Sequence, residues 1–212
     1  MKTVTIVGAG ALGSHVMLFA RNWEARFRVI DFDRVEQKNV LAQFHSKMGM
    51  RQNKALALQK AMGGLFGLNI KPFLHKLTGD NAEALLGGSD LVIDCTDNAE
   101  ARRVIQDFVL KCKLCGLTKG LHDHDLCKGS WEPTTEVLHG CLSAAGDFAR
   151  IIWTENFTPD EEGEPGQATC EDGEQLPFFA MAASVVAQTA QQFLADGTKR
   201  NYQLMPGKVI SL

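Results

Sequence analysis

Hydrophobic positions along the chain form short apolar runs that alternate with stretches of helical period, and the alternation repeats before lapsing in the second half. Residues 3–7 are a β-branched run entering Gly8-Ala9-Gly10-Ala11-Leu12-Gly13, and an apolar, helix-favouring stretch follows to about Arg21. Strand, tight turn and helix are predicted there. Residues 28–31 read as a second strand, and a polar loop over 32–51 precedes a helical pattern over 54–62 that Gly63-Gly64 should stop. A third strand is predicted over 70–75, a short helix over 81–86, a buried strand over 91–95 and a helix over 99–111.

Strands apolar on both faces, alternating with helices, predict an α/β fold of Rossmann-like type, with a mostly parallel sheet and helices on both faces. After the fourth strand-helix unit no period of 2 or 3.6 can be traced, and residues 112–136 read as an irregular insertion. Regularity returns over 149–153 and breaks again in an acidic loop over 154–175 that contains glycine and proline. An apolar helix is then expected from Pro177 to about Leu194, with Pro177 in its first turn and Gly197 at its end. Its apolar stripe, including Phe178, Val186 and Phe193, predicts core or subunit interface. Residues 202–204 and 208–212, around Pro206-Gly207, predict a closing hairpin.

A length of 212 residues suits one well-buried domain spanning 1–212. With 45% apolar residues, 22% charged residues and a net charge of -3, the composition is ordinary and argues against a nucleic-acid surface. The first apolar run is too short for a signal or membrane segment, which predicts a cytoplasmic protein without a membrane partner. In that compartment the six cysteines are expected as buried small hydrophobes, metal ligands or reactive thiols.

The candidate chemistry begins at the glycines. Gly8, Gly10 and Gly13 would permit a tight turn, backbone approach to phosphate and close helix packing, and a helix N-terminus offers free N–H groups to an anion. Asp31 follows Gly13 by eighteen residues, close to the separation of about 20 at which an acidic residue meets a ribose hydroxyl. These features predict a nucleotide site without choosing between NAD and ATP.

The choice comes from Asp31-Phe32-Asp33-Arg34-Val35-Glu36, Asn39, Gln43, Lys54 and Asp94-Cys95-Thr96-Asp97-Asn98, which together resemble the ThiF/MoeB family of adenylating enzymes related to ubiquitin-activating enzymes. The resemblance implies ATP and magnesium as cofactors, with Gly8, Gly10, Gly13, Asp31, Asp33, Asn39, Gln43, Lys54 and Asp97 in the nucleotide site. Lys54 would be the cation on the triphosphate and Asp97 the magnesium ligand, both in the catalytic set. It also implies adenylation of the C-terminal carboxylate of a small ubiquitin-like or sulfur-carrier protein, with pyrophosphate released, by a homodimer. A carboxylate approaching an anionic α-phosphate needs fixed positive charge and a metal on hard oxygen ligands, which these residue types supply. Taken singly, Lys54 could be a solvated lysine at a helix start and Asp97 the N-cap of the following helix.

One position departs from the pattern. Where the family shows Asn-x-x-Arg-Gln, this chain has Asn39-Val40-Leu41-Ala42-Gln43, losing a guanidinium contact worth about 1.5–3 kcal/mol. Lys38, Lys47 or Arg51 are the candidate replacements. The rival readings are a nucleotide-binding sensor or scaffold with weakened adenylation, and an NAD-linked oxidoreductase, which would leave Asp97 and Lys54 without a task.

Cys170, shortly before the last long helix, resembles the loop thiol that takes an acyl or persulfide group in the family; the alternative is a half-buried loop cysteine. Cys112, Cys115, Cys127 and His124 have a zinc-like composition, although the family's zinc ligands sit elsewhere, and ordinary loop residues are the other reading. Cys95 and Cys141 are expected in the core, with His139-Gly140-Cys141 as a possible pocket wall, and His15 and His45 carry no catalytic spacing.

Overall fold

Parallel strands dominate one half of a single sheet and antiparallel strands the other, in a computed structural model that describes residues 1–110, 135–143, 145–158, 173 and 175–212. The first half contains β1 (Lys2–Val7), α1 (Ala11–Phe19), β2 (Ala25–Ile30), α2 (Asn39–Ala42), α3 (Lys54–Phe66), β3 (Ile70–Phe73), α4 (Ala82–Leu86), β4 (Leu91–Asp94) and α5 (Ala99–Leu110). The second contains β5 (Glu136–Leu142), β6 (Ala149–Trp153), α6 (Leu176–Asp196), β7 (Tyr202–Met205) and β8 (Lys208–Ser211). The sheet order is β3-β2-β1-β4-β5-β6-β7-β8, parallel from β3 to β5 and antiparallel from there to β8.

The period-2 alternation sends successive side chains of each strand to opposite cores. Val4 and Ile6 of β1 and Leu91 and Ile93 of β4 pack with Leu12 and Val16 of α1, Leu58 of α3 and Val186 of α6. Val7 and Val92 point the other way, against Leu85 and Leu86 of α4 and Ile105 of α5. Helices therefore cover both faces. Phe178, Phe179 and Val186 are buried, so the stripe of α6 is core, where it packs along α1. Among the described residues no helix is long and apolar enough to cross a membrane.

Four expectations change. The helix over 54–62 does not stop at Gly63-Gly64 but continues as α3 to Phe66, ending at Gly67 with φ +66°. Interior glycines each cost a helix about 1 kcal/mol, which the packing of Ala55, Leu58 and Met62 overrides. The second strand begins at Ala25, and the third closes at Phe73 with Pro72 tolerated because β3 is the sheet edge. Residues 136–142, given no element from the sequence, form β5, the strand that pairs β4 and turns the sheet from parallel to antiparallel. The remainder of the insertion, up to 134, lies outside the described residues.

The turn between β1 and α1 closes against the end of β4. A Cβ on Gly8, where φ is +89°, would lie 2.8 Å from the Cys95 carbonyl oxygen, and one on Gly13 would lie 1.9 Å from the Gly8 carbonyl oxygen. Gly10 has nothing within 4 Å of its would-be Cβ. Gly13→Ala is therefore expected to destabilise the protein by about 3 kcal/mol, as an overpacked contact does. Gly10→Ala, which meets no contact but replaces the N-cap of α1, should cost about 1 kcal/mol or less. Urea unfolding of both variants checks the contrast.

Candidate nucleotide site

In open α/β sheets a ligand sits outside the C-terminal ends of the strands where the strand order reverses. Here that place lies between β1 and β4, where the glycine turn leaves β1 and residues 95–98 leave β4. Gly10 caps α1 with nothing within 4 Å of a Cβ built on it, and the first-turn N–H groups of a helix have no partner within the helix itself.

The turn is fixed from β2. Asp31 accepts a hydrogen bond from the Ala9 N–H at 2.6 Å through one carboxylate oxygen and from the Asp33 N–H at 2.8 Å through the other. Burial pushes its carboxyl above the usual aspartate value, opposed by those two N–H groups and by the charge of Lys54. Asn53 then staples β2 to α3. Its Nδ2 donates to the Asp31 carbonyl at 2.7 Å, while its Oδ1 accepts from the Ala55 N–H at 2.9 Å and caps the helix. Lys54, the first residue of α3, is thereby brought to Asp33, with Nζ 3.2 Å from Oδ2 and its side chain only 11% exposed. A solvated helix-start lysine is not what the structure contains.

The segment after β2 carries the other resemblance residues. Asn39 is buried, its Oδ1 accepting from the Glu36 N–H at 2.8 Å. Gln43 is also buried, and its Oε1 has no hydrogen-bond partner among the described residues. Ala42 is fully buried, so position 42 contributes a methyl group to the interior. Among the candidate replacements, Lys38 pairs with Glu36 at 3.4 Å, and Lys47 and Arg51 are exposed.

Sequence reasoning missed His45. Its Nε2–H donates to the Ala9 carbonyl at 2.8 Å, so both polar groups of the Ala9 residue are held, by Asp31 on one side and His45 on the other. Burial pushes the His45 imidazole down to about 4, with nearby Lys54 and His15 acting in the same direction and the Ala9 carbonyl against it. Ser14 of α1 accepts from the Phe44 N–H at 2.9 Å and docks the same segment. Apart from proximity to Gln43, no sequence signal marked this histidine.

At the end of β4, Asp97 is exposed and Asn98 caps α5, accepting from the Ala101 N–H at 2.8 Å. The N-cap is thus Asn98 and not Asp97, leaving the Asp97 carboxylate outside the helix bonding. Cys95 lies in the core under the glycine turn, and burial, the Asp94 charge and Cys141 push its thiol well above the usual value. Cys141 is half-buried, and His139 is fully buried instead of lining a pocket. Cys112, Cys115, Cys127, His124 and Cys170 lie outside the described residues. Among the described residues no group of three or more His, Cys, Asp or Glu could hold a metal ion.

The strand order, glycine turn and acid at the end of β2 define a Rossmann-type protein with the features of a nucleotide site. The chain belongs to the ThiF family, whose profile matches residues 1–205. It is 33% identical over 108 residues to a sulfur carrier protein adenylyltransferase of Thermus thermophilus, covering 50% of this chain and 40% of that protein. It is 37% identical over 113 residues to the adenylyltransferase and sulfurtransferase uba4 of Pyricularia oryzae, covering 50% of this chain and 22% of that protein. The matches thus span less than half of these relatives. Among solved structures, E. coli MccB with MccA-N7isoASN matches all of this chain and 63% of its own at a TM-score of 0.72 and 12% identity. SeMet PaaA matches all of this chain and 63% of its own at 0.69 and 16%. At those identities the likeness is one of fold.

The low His45 value sets a pH dependence. The folded imidazole takes up its proton only near 4 while an unfolded one does so near 6.5, so falling pH favours unfolding across that window. Wild type should lose up to about 3 kcal/mol more stability than His45→Gln between pH 7 and pH 4. Equal losses in urea titrations would refute the assignment.

Proposed function

We propose that this chain binds ATP with magnesium and adenylates the C-terminal carboxylate of a small ubiquitin-like or sulfur-carrier protein, releasing pyrophosphate. The observation that carries the reading is the convergence of an open glycine turn, the buried Asp31 and the shielded Lys54 at one crevice. The buried, unpartnered Oε1 of Gln43 suits a ligand with hydrogen-bond donors. ATP supplies an electrophilic α-phosphorus, and magnesium offsets the negative charge on the departing pyrophosphate.

The residues of the chain bind and orient. The first-turn N–H groups of α1 receive phosphate oxygens. Lys54 exchanges its bond to Asp33 for one to the triphosphate. Asp31 already has both carboxylate oxygens on N–H groups, and each retains a lone pair for a ribose hydroxyl. Asp97, exposed one residue after the Thr96 that borders the glycine turn, would serve as a magnesium ligand; magnesium commonly takes one or two carboxylates together with phosphates and water. The carrier's tail would lie along the C-terminal edge of the parallel strands, where Phe32 after β2 and Leu74 after β3 are exposed apolar side chains. A homodimer working in the cytoplasm belongs to the same reading. A zinc site at Cys112, Cys115, Cys127 and His124 and a covalent role for Cys170 remain proposals on sequence alone.

Ala42 favours a second reading, a nucleotide-binding sensor or scaffold with weakened adenylation, because its burial leaves the crevice one cation short of the family pattern. Carrier-dependent exchange of pyrophosphate into ATP separates the two.

Magnesium-ATP should raise the melting temperature of wild type, since a ligand that binds only the native state stabilises it. Lys54→Met should weaken ATP binding by roughly tenfold to a hundredfold, the loss of one charged hydrogen bond. Asp97→Asn should remove most of the magnesium-dependent part. Stabilisation by NAD with none by ATP would sink the proposal.

A further inference from the structure

A carboxylate, an imidazole and a hydroxyl lie in line at the centre of the sheet. Asp94 ends β4, His139 is its register partner in β5, and Thr154 follows β6. The Nδ1–H of His139 donates to Asp94 Oδ2 at 2.7 Å, and its Nε2 faces Thr154 Oγ1 at 2.9 Å. That connectivity is the one nucleophilic triads use. Here it cannot meet a substrate. Asp94 and His139 are both 0% exposed, Thr154 is buried, and Phe157 stacks on the imidazole with ring centroids 3.8 Å apart and planes within 12°.

The other oxygen of Asp94 holds the segment that leaves β4. Its Oδ1 accepts from the Thr96 N–H at 3.0 Å and from the Thr96 hydroxyl at 2.7 Å, and the Thr96 carbonyl accepts from Arg102 Nη2 at 2.7 Å. Thr96 itself borders the glycine turn, its nitrogen 3.4 Å from the position a Cβ on Gly8 would take. The direction in which the chain leaves β4 toward Asp97 is thus set by one carboxylate. That carboxylate is oriented from behind by His139, Thr154 and Phe157. Burial opposes the ionised form of Asp94, and the His139 hydrogen bond, Arg102 and the Thr96 N–H more than offset it.

We propose that His139 is a positioning residue for magnesium-nucleotide binding: through Asp94 and Thr96 it fixes the Asp97 carboxylate beside the glycine turn. The inference rests on the magnesium-ATP reading given above. It assigns His139 no contact with nucleotide or metal. Partners that orient a metal ligand from behind typically cost tenfold to a hundredfold in metal affinity when removed.

The test compares wild type, His139→Asn and Thr154→Val, the last keeping the shape of Thr154 while removing its hydroxyl. The dissociation constant of AMPCPP, a non-cleavable ATP analogue, is measured by calorimetry with and without magnesium. In His139→Asn the gain in affinity due to magnesium should fall by roughly tenfold or more, with magnesium-free affinity within threefold of wild type. Thr154→Val should show a smaller loss of the same kind and should move the ligand-free amide resonances of Thr96 and Asp97 more than those of Leu91 and Val92. An unchanged magnesium gain in His139→Asn, or in Thr154→Val should His139→Asn fail to fold, overturns the inference. Unmoved Thr96 and Asp97 resonances overturn the positioning link itself. A wild type that fails to bind magnesium-AMPCPP overturns the functional reading instead.

Discussion

The Ala9 residue is held at both of its polar groups, its N–H by the Asp31 carboxylate and its carbonyl by the His45 imidazole. Everything else at the crevice depends on that clamp. It holds the glycine turn flat against the end of β4, where Gly8 and Gly13 leave no room for a side chain. An anion site made of backbone N–H groups works only when those groups are fixed before the ligand arrives, because ordering them on binding would cost conformational entropy. Asp31 also begins the path through Asn53 to α3, so the clamp and the position of Lys54 share one carboxylate and one amide side chain.

Two turns meet beside this clamp, one after β1 and one after β4. In the proposed function the first presents N–H groups to phosphate and the second presents Asp97 to magnesium. Cys95 packs between them as a core residue, its thiol disfavoured as a thiolate by burial and by Asp94. The β4 turn is braced from inside the sheet by the buried Asp94-His139 contact. Burying two such groups is unfavourable unless their hydrogen bonds are met, and here Thr96 and Thr154 complete them while the charge of Arg102 favours the carboxylate.

Much of the fold was legible because its parallel half follows rules local in sequence. Apolar runs bounded by glycine or polar residues gave β1 and β4, and the glycine motif placed α1. The closing hairpin at β7 and β8 announced itself through Pro206-Gly207. The strand β5 stayed hidden because Glu136-Val137-Leu138-His139-Gly140-Cys141-Leu142 interrupts its apolar run with a histidine and a glycine whose reasons are tertiary. His139 answers Asp94, and Gly140 makes room for Leu12 of α1, 2.7 Å from a would-be Cβ. The end of α3 was misplaced for a related reason, since packing carried the helix through two glycines. Of the site, Asp31 was legible from its distance to Gly13. His45 was not, because its partner is a backbone carbonyl 36 positions away.

The central claim is that the clamped glycine turn and Lys54 form the triphosphate cradle. Titration of isotopically labelled protein with magnesium-AMPCPP, followed by amide resonances, tests it most directly. The account predicts that the largest shifts fall on residues 9–14, on Asp31 and on Lys54. Shifts concentrated elsewhere, with residues 9–14 unmoved at saturation, would contradict it.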